Sequence, residues 1–236
     1  MEPLSNPRSP GNLFPGTATY DAGATLPDPL APDGKVHLLA DGWCAEFHQL
    51  EDGRRQIVRF ILPGDVVGLR CLVLGGRPGH CMALTSVLAR TVSVRAYYDD
   101  LAGDPERIRG LVAAARDEEW ELTRQLVHLG RYDAMRRVAA LLAGLHRRLE
   151  RVGLARNDRF PLPLTQETLA DATGLSAVHM NRTLRALRDS GCIGMKDGTV
   201  SLRDPAALAR VAGEADWPAA EDTPTGPGLM QHMFAP

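Results

Sequence analysis

Between Tyr20 and Arg95 apolar and polar residues alternate in short runs, and turn signals cut the runs apart. Asp33-Gly34, Asp41-Gly42, Asp52-Gly53 and Pro63-Gly64-Asp65 separate segments such as Gln56-Ile57-Val58-Arg59-Phe60-Ile61-Leu62 and Ser86-Val87-Leu88. In Thr91-Val92-Ser93-Val94-Arg95 the alternation is strict, which puts apolar side chains on one face of a strand and polar ones on the other. Turns recurring about every ten residues predict a β-sandwich or barrel here, with no helix of useful length.

From Asp104 the period changes. Ile108, Val112, Ala115, Glu119, Leu122, Leu126 and Leu129 are spaced 4, 3, 4, 3, 4, 3, the seam of a two-stranded coiled coil. Asp104-Pro105-Glu106 starts a helix well: a capping Asp, proline at the first helical position, then an acid in the first turn. The pattern predicts a dimerisation helix over 104–130; a single helix lying on its own sheet is the alternative. Glu119 is the polar exception. In a parallel dimer it brings two carboxylates together, which repel unless one is protonated or paired; otherwise it points outward from a less regular seam. A second helix is predicted over 132–152, with Met135, Val138, Leu141, Leu142, Leu145 and Leu149 on its apolar side and Gly153 at its end. Beyond Val211 the chain turns to Pro, Gly, Asp, Glu and Ala with little periodicity, which predicts a disordered tail.

The segment 164–202 has the densest local signals. Thr165 caps a helix through Gln166-Glu167-Thr168-Leu169-Ala170-Asp171-Ala172, and Thr173-Gly174-Leu175 makes a tight turn whose glycine takes a left-handed conformation. Ser176 caps a second helix, 177–190, which Gly191 ends. Helix, glycine turn, helix is the helix-turn-helix pattern. At 100° per residue Met180, Leu184 and Leu187 point toward the first helix, while Val178, Asn181, Arg182 and Arg185 face outward. That outward chemistry suits base reading: arginine bonds bidentately to guanine, asparagine to adenine, and valine touches a thymine methyl. Ile193-Gly194-Met195 and Thr199-Val200-Ser201-Leu202 flank the turn Lys196-Asp197-Gly198, a hairpin whose basic tip can reach a phosphate backbone. Thr165, Ser176, His179 and Lys196 are the candidate backbone contacts. A helical hairpin packed in an unrelated domain is the competing reading.

Charge sharpens this picture. Over 131–203 there are 13 Lys and Arg against 7 Asp and Glu, whereas the remainder holds 14 against 22, so a net charge of −2 conceals a basic module on an acidic one. Such asymmetry fits a polyanion partner for the basic part. No apolar run is long enough to span a bilayer, and the N-terminal residues lack the basic-then-apolar order of a secretory signal. A cytoplasmic protein with reduced thiols is therefore expected. Cys44, Cys71, Cys81 and Cys192 are widely spaced, without the short spacings of a metal site. Cys44, Cys71 and Cys81 fall in the sheet-rich half, either as oxidation sensors or as buried structural residues. His37, His48 and His80 with Cys81 have no ligand spacing and read as surface or loop residues. No metal, cofactor or catalytic residue is expected.

With these motifs in view, the chain closely resembles the CRP/FNR family of bacterial transcription regulators. Phe160-Pro161-Leu162-Pro163-Leu164-Thr165-Gln166-Glu167, Leu169-Ala170-Asp171-Ala172-Thr173-Gly174-Leu175-Ser176 and Val178-His179-Met180-Asn181-Arg182-Thr183-Leu184 carry the resemblance at the C-terminal end. Asp52-Gly53-Arg54-Arg55-Gln56-Ile57 and Leu62-Pro63-Gly64-Asp65-Val66-Val67-Gly68 carry it upstream. It implies an α+β chain: an N-terminal antiparallel, jelly-roll-like β-roll sensor over 20–103, the dimerisation helix 104–130, and a winged helix-turn-helix over 131–212, with 1–19 and 213–236 disordered. It also implies a homodimer on a palindrome in double-stranded DNA, and contact with RNA polymerase when the protein activates; an unknown small-molecule effector is a further candidate partner.

Three departures narrow this. Members that bind cyclic AMP carry Gly-Glu-Leu and a later Arg-Ser or Arg-Thr pair; the matching stretches here are Gly68-Leu69-Arg70 and Gly79-His80-Cys81, without the glutamate or the guanidinium. No cysteine precedes Cys44, so the grouped N-terminal cysteines of the iron–sulfur sensors are missing. The Glu-x-x-Ser-Arg of many recognition helices is Val178-His179-Met180-Asn181-Arg182, which keeps only the arginine. A metal- or small-molecule-dependent β-roll enzyme with an accessory helical domain is the functional alternative, and a family member acting through its abundance alone is a third.

Overall fold

The computed structural model describes residues 13–75 and 79–217. Packing divides them into two compact units, 13–43 with 63–119 and 44–62 with 120–217.

In the first unit β1 (Gly16–Tyr20), β2 (Lys35–Asp41) and β6 (Val87–Ser93) form an antiparallel sheet in the order β1-β6-β2. Gly16 faces Thr91 in the register of β1 with β6, and Val36 faces Val92 in that of β2 with β6. β1 corrects the expectation that 1–19 lacks structure: Gly-Thr-Ala-Thr-Tyr alternates in burial but has too little apolar bulk to be read as a strand. Residues 1–12 lie outside the described chain.

Two helices also appear where none was expected, α1 (Leu69–Leu74) and α2 (Val94–Ala102). The strand read through Arg95 stops at Ser93, whose hydroxyl accepts from Ala96 N at 3.2 Å and caps α2. Both helices close the core of this unit, where Leu69 and Leu72 of α1 and Tyr97 and Leu101 of α2 pack with Phe14, Val36, Leu38, Val66 and Val92. Burial pushes the Tyr97 phenol up to about 12. β5 (His80–Ala83) completes the strands of the unit.

The long helix α3 (Pro105–Arg131) starts as expected: Asp104 Oδ1 accepts from Glu106 N at 3.0 Å and Arg107 N at 3.3 Å. Its residues through 119 belong to the first unit and those from 120 to the second.

In the second unit the antiparallel hairpin of β3 (Cys44–Gln49) and β4 (Arg55–Ile61) packs with α4 (Ala134–Arg151), α5 (Gln166–Thr173) and α6 (Ala177–Asp189). A short sheet in the order β7-β9-β8 follows, from β7 (Arg159–Pro161), β8 (Ile193–Lys196) and β9 (Thr199–Leu202), and then α7 (Pro205–Ala212). Val138, Leu142, Leu145 and Leu149 of α4 are buried, on the apolar side read from the sequence, with Ala139 beside them, and the helix starts at Ala134 rather than Tyr132, capped by Asp133.

The expected disordered tail begins too early. Gly213, at φ 69°, ends α7, a 3-10 turn covers Glu214–Asp216, and Trp217 packs on α3. Its ring meets Trp120 edge-on at 5.6 Å and His128 at 5.8 Å, while the Arg124 guanidinium lies 5.2 Å from the ring centre. Burial beside Arg124 holds His128 down to about 4, hence neutral. A single aromatic anchor carries this contact, and a composition-based reading does not register it. Residues 218–236 lie outside the described chain.

Candidate nucleic-acid interface

Local chemistry fixes the helix pair. Thr165 Oγ1 accepts from Thr168 N at 3.1 Å to start α5, and Ser176 Oγ accepts from His179 N at 3.2 Å to start α6. Gly174 turns the chain between them at φ 65°, a conformation that side chains resist, and a β-carbon there would also stand 3.3 Å from Leu129 Cδ2. Leu175 N donates to Ala170 O at 3.1 Å, closing the end of α5.

α6 then divides into two faces as the sequence predicts. Met180, Leu184 and Leu187 are buried, as is Thr183, whose hydroxyl donates to His179 O at 2.9 Å. Val178 is 68% exposed, and His179, Asn181, Arg182 and Arg185 are exposed too. Val178, Asn181, Arg182 and Arg185 together span an arc of about 100°. Arg185 lies 3.8 Å from Asp189 one turn on, an exposed pair that DNA phosphate can displace at little cost. Asn181 Nδ2 donates to Gln166 Oε1 at 3.0 Å; Gln166 was not among the sequence candidates.

The wing forms as expected. β8 and β9 pair with Lys196 opposite Thr199, and Asp197 and Gly198 take φ 49° and 70°, the primed turn that a two-residue hairpin needs. Leu162 N donates to Gly198 O at 2.7 Å and ties the tip down, leaving Lys196 exposed. Lys196→Ala is expected to weaken binding to all DNA sequences alike and to reduce the slope of log affinity against log salt by about 1, as for loss of a phosphate contact. Titration of operator and random duplexes at several salt concentrations checks this.

A joint that sequence reasoning missed sits at the C-terminal end of α5. Arg55 of β4 donates to Asp171 at 2.5 Å; Gln56 and Gln125 each donate to Ala172 O at 3.4 Å; Arg137 donates to Thr173 O at 3.2 Å. Three elements thus satisfy the carbonyls that a helix end leaves unpaired. No local signal points to it, since Arg55 and Asp171 are 116 residues apart.

Within the single chain the residues of the expected dimer seam differ in exposure. Ile108, Val112 and Leu126 are 42%, 53% and 72% exposed, and Glu119 is exposed on the same stripe. Ala115 is only 5% exposed within its own chain, and Leu129 is half-buried beside the Gly174 turn, as is Leu122 on its own stretch of α3.

The remaining candidates separate by burial. His37 is buried in β2 rather than on the surface: its Nδ1–H donates to Lys35 O at 3.0 Å, and Tyr20 Oη donates to Nε2 at 2.8 Å. Desolvation lowers its pKa and keeps it neutral. His48 and His80 are exposed, and all four cysteines are buried and outside any disulfide. Among the described residues no group of His, Cys, Asp or Glu is gathered to hold a metal.

Leu69, where the ribose-holding glutamate would stand, is 5% exposed and part of the apolar core, and Arg70 lies 3.8 Å from buried Glu118. Burying a ribose hydroxyl against Leu69 would strip it of water without a partner.

Comparison with known proteins defines the class. A model of the cyclic nucleotide-binding domain matches residues 17–99, and one of the Crp-like helix-turn-helix domain matches 136–211. The chain is 36% identical over 177 residues to the nitrogen fixation regulation protein FixK of Bradyrhizobium diazoefficiens, covering 74% of this chain and 72% of that protein. It is 31% identical over 209 residues to the transcriptional activator protein FnrL of Cereibacter sphaeroides, covering 83% and 80%. The solved structure of FixK2 from Bradyrhizobium japonicum superposes with a TM-score of 0.73 at 27% identity, over 83% of this chain and 96% of that one. The protein is a transcription regulator with an N-terminal domain of the cyclic nucleotide-binding type and a DNA-binding helix-turn-helix domain. It belongs to the CRP/FNR family, and its relatives give no support to the enzyme reading.

Proposed function

We propose that the protein acts in the cytoplasm as a homodimer on a palindromic operator, with the outward face of α6 reading each half-site. One observation carries this: Val178, Asn181, Arg182 and Arg185 stand in solvent on a helix whose opposite face is fully packed. Two-fold symmetry sets the two recognition helices about 34 Å apart, one turn of DNA. The exposed stripe Ile108, Val112, Leu126 on α3 supports self-association, since an aliphatic row of this length on a regulator helix favours burial against a copy of itself. Thr165, Ser176, His179 and Lys196 contact the backbone. The division into a sensor over 20–103, a dimer helix and a winged module follows the same reading, with RNA polymerase as a further partner at activated promoters. The effector is a molecule other than cyclic AMP, or none.

Selection of bound duplexes from random DNA tests the proposal. A palindromic motif with half-sites about one turn apart is the expected result; a direct repeat or no motif contradicts it. Leu126→Glu is expected to shift the protein toward monomer in sedimentation and to weaken operator binding at least tenfold through loss of the second half-site. A dimer unchanged by this substitution removes α3 from the interface.

A further inference from the structure

Two carboxamides, fifteen residues apart in sequence, meet at the reading face: Asn181 Nδ2 donates to Gln166 Oε1 at 3.0 Å. Gln166 is the first residue of α5, directly after its Thr165 cap, and Asn181 lies at one edge of the outward arc of α6. Both are exposed, so neither is held by packing.

A carboxamide has one acceptor oxygen and two N–H donors. Bidentate reading of adenine uses the oxygen and one N–H, leaving the second N–H without a role. An unrestrained asparagine amide has a broad, roughly two-fold torsion and offers its edge to a base in either sense. The bond to Gln166 consumes one N–H and fixes on which side the nitrogen lies. Oδ1 and the remaining N–H are left as an oriented acceptor–donor edge.

We propose that Gln166 is a positioning residue for base recognition: its Oε1 holds the Asn181 amide in one orientation, and the pair together sets the preference for adenine at the base pair Asn181 faces. This rests on the reading of α6 as the recognition helix and names a residue outside that helix as part of its specificity. The ordering occurs before DNA arrives, so the rotamer entropy of Asn181 is partly lost in the free protein rather than on binding. Because α5 is capped by Thr165 and anchored at its other end by Arg55, Gln125 and Arg137, the backbone from which Gln166 projects is held at a fixed place.

The test measures Kd on the selected operator and on operators altered at single base pairs, for the full-length dimer and for Gln166→Ala, Asn181→Ala, the double variant and Gln166→Glu. The base pair whose discrimination changes in Asn181→Ala is the one that Asn181 faces. At that base pair alone Gln166→Ala is expected to reduce discrimination roughly three- to tenfold, a part of what a bidentate contact supplies. The double variant should discriminate no worse than Asn181→Ala alone, since the two act as a unit. Gln166→Glu keeps the acceptor and should restore discrimination while weakening all sequences alike through its charge.

Thermal unfolding of each variant guards against a folding defect. A Gln166→Ala protein that weakens every operator equally, or adds its effect to that of Asn181→Ala, overturns the proposal. So does an Asn181→Ala protein with unchanged preferences. In that last case Arg182→Ala still relaxing base preference would leave the recognition helix standing, whereas no effect from either would remove both.

Discussion

Arg182→Ala is expected to cost about 1–3 kcal/mol of binding at the cognate operator and to relax base preference at one position of each half-site. The guanidinium is exposed on the same arc as Val178 and Asn181, and the opposite side of the helix at Met180, Leu184 and Leu187 is sealed. Truncation therefore removes donors from the DNA side without opening a cavity, and thermal stability should change by no more than about 0.5 kcal/mol. Affinities on operators altered one base pair at a time separate this from loss of a phosphate contact. Uniform weakening on every duplex would reassign Arg182 to the backbone, and unchanged affinity would remove it from the interface.

Leu187→Ala is expected to do the reverse. Leu187 is 0% exposed on the packed face of α6, and deleting its side chain should destabilise the second unit by about 2–5 kcal/mol, the transfer loss plus an unfilled cavity. Denaturant unfolding followed by circular dichroism gives the magnitude directly. DNA affinity under conditions where the protein stays folded should keep its base preferences, because no reading residue has changed. A loss under 1 kcal/mol would mean that α6 is not seated on the core as its burial shows.

The contrast between these two substitutions lies within one 13-residue helix, and that helix was the part most legible in the sequence. Thr165, Gly174 and Ser176 each act over three or four residues, so their capping and turn roles can be read without tertiary knowledge. The two faces of α6 follow from period alone. The same holds for Asp104 at the start of α3.

Elsewhere, distant partners decided the outcome. Gly16–Tyr20 becomes a strand because β6, some 70 residues later, offers it an edge. Val94 looks like the next residue of an alternating strand, yet Ser93 caps a helix whose Tyr97 and Leu101 fill the core. The heptad on α3 could not show that Ala115 is covered by its own chain, nor that Leu129 leans on the Gly174 turn. Trp217 and the pair Arg55–Asp171 have no local signature, since neither repeats nor sits in a motif. The same reason hid Gln166: its acceptor matters only once α5 and α6 are folded against each other.

The central claim is that the outward face of α6 lies in the major groove of operator DNA, and a photo-crosslinker attached at Val178→Cys tests it most directly. Val178 is 68% exposed and the four native thiols are buried, so labelling is confined to the introduced site. Irradiated on the selected operator, the labelled dimer should crosslink to bases at two symmetric positions about ten base pairs apart, and a duplex of scrambled sequence should give none. Crosslinks to neither half-site, while the labelled protein still protects the operator, would contradict the account.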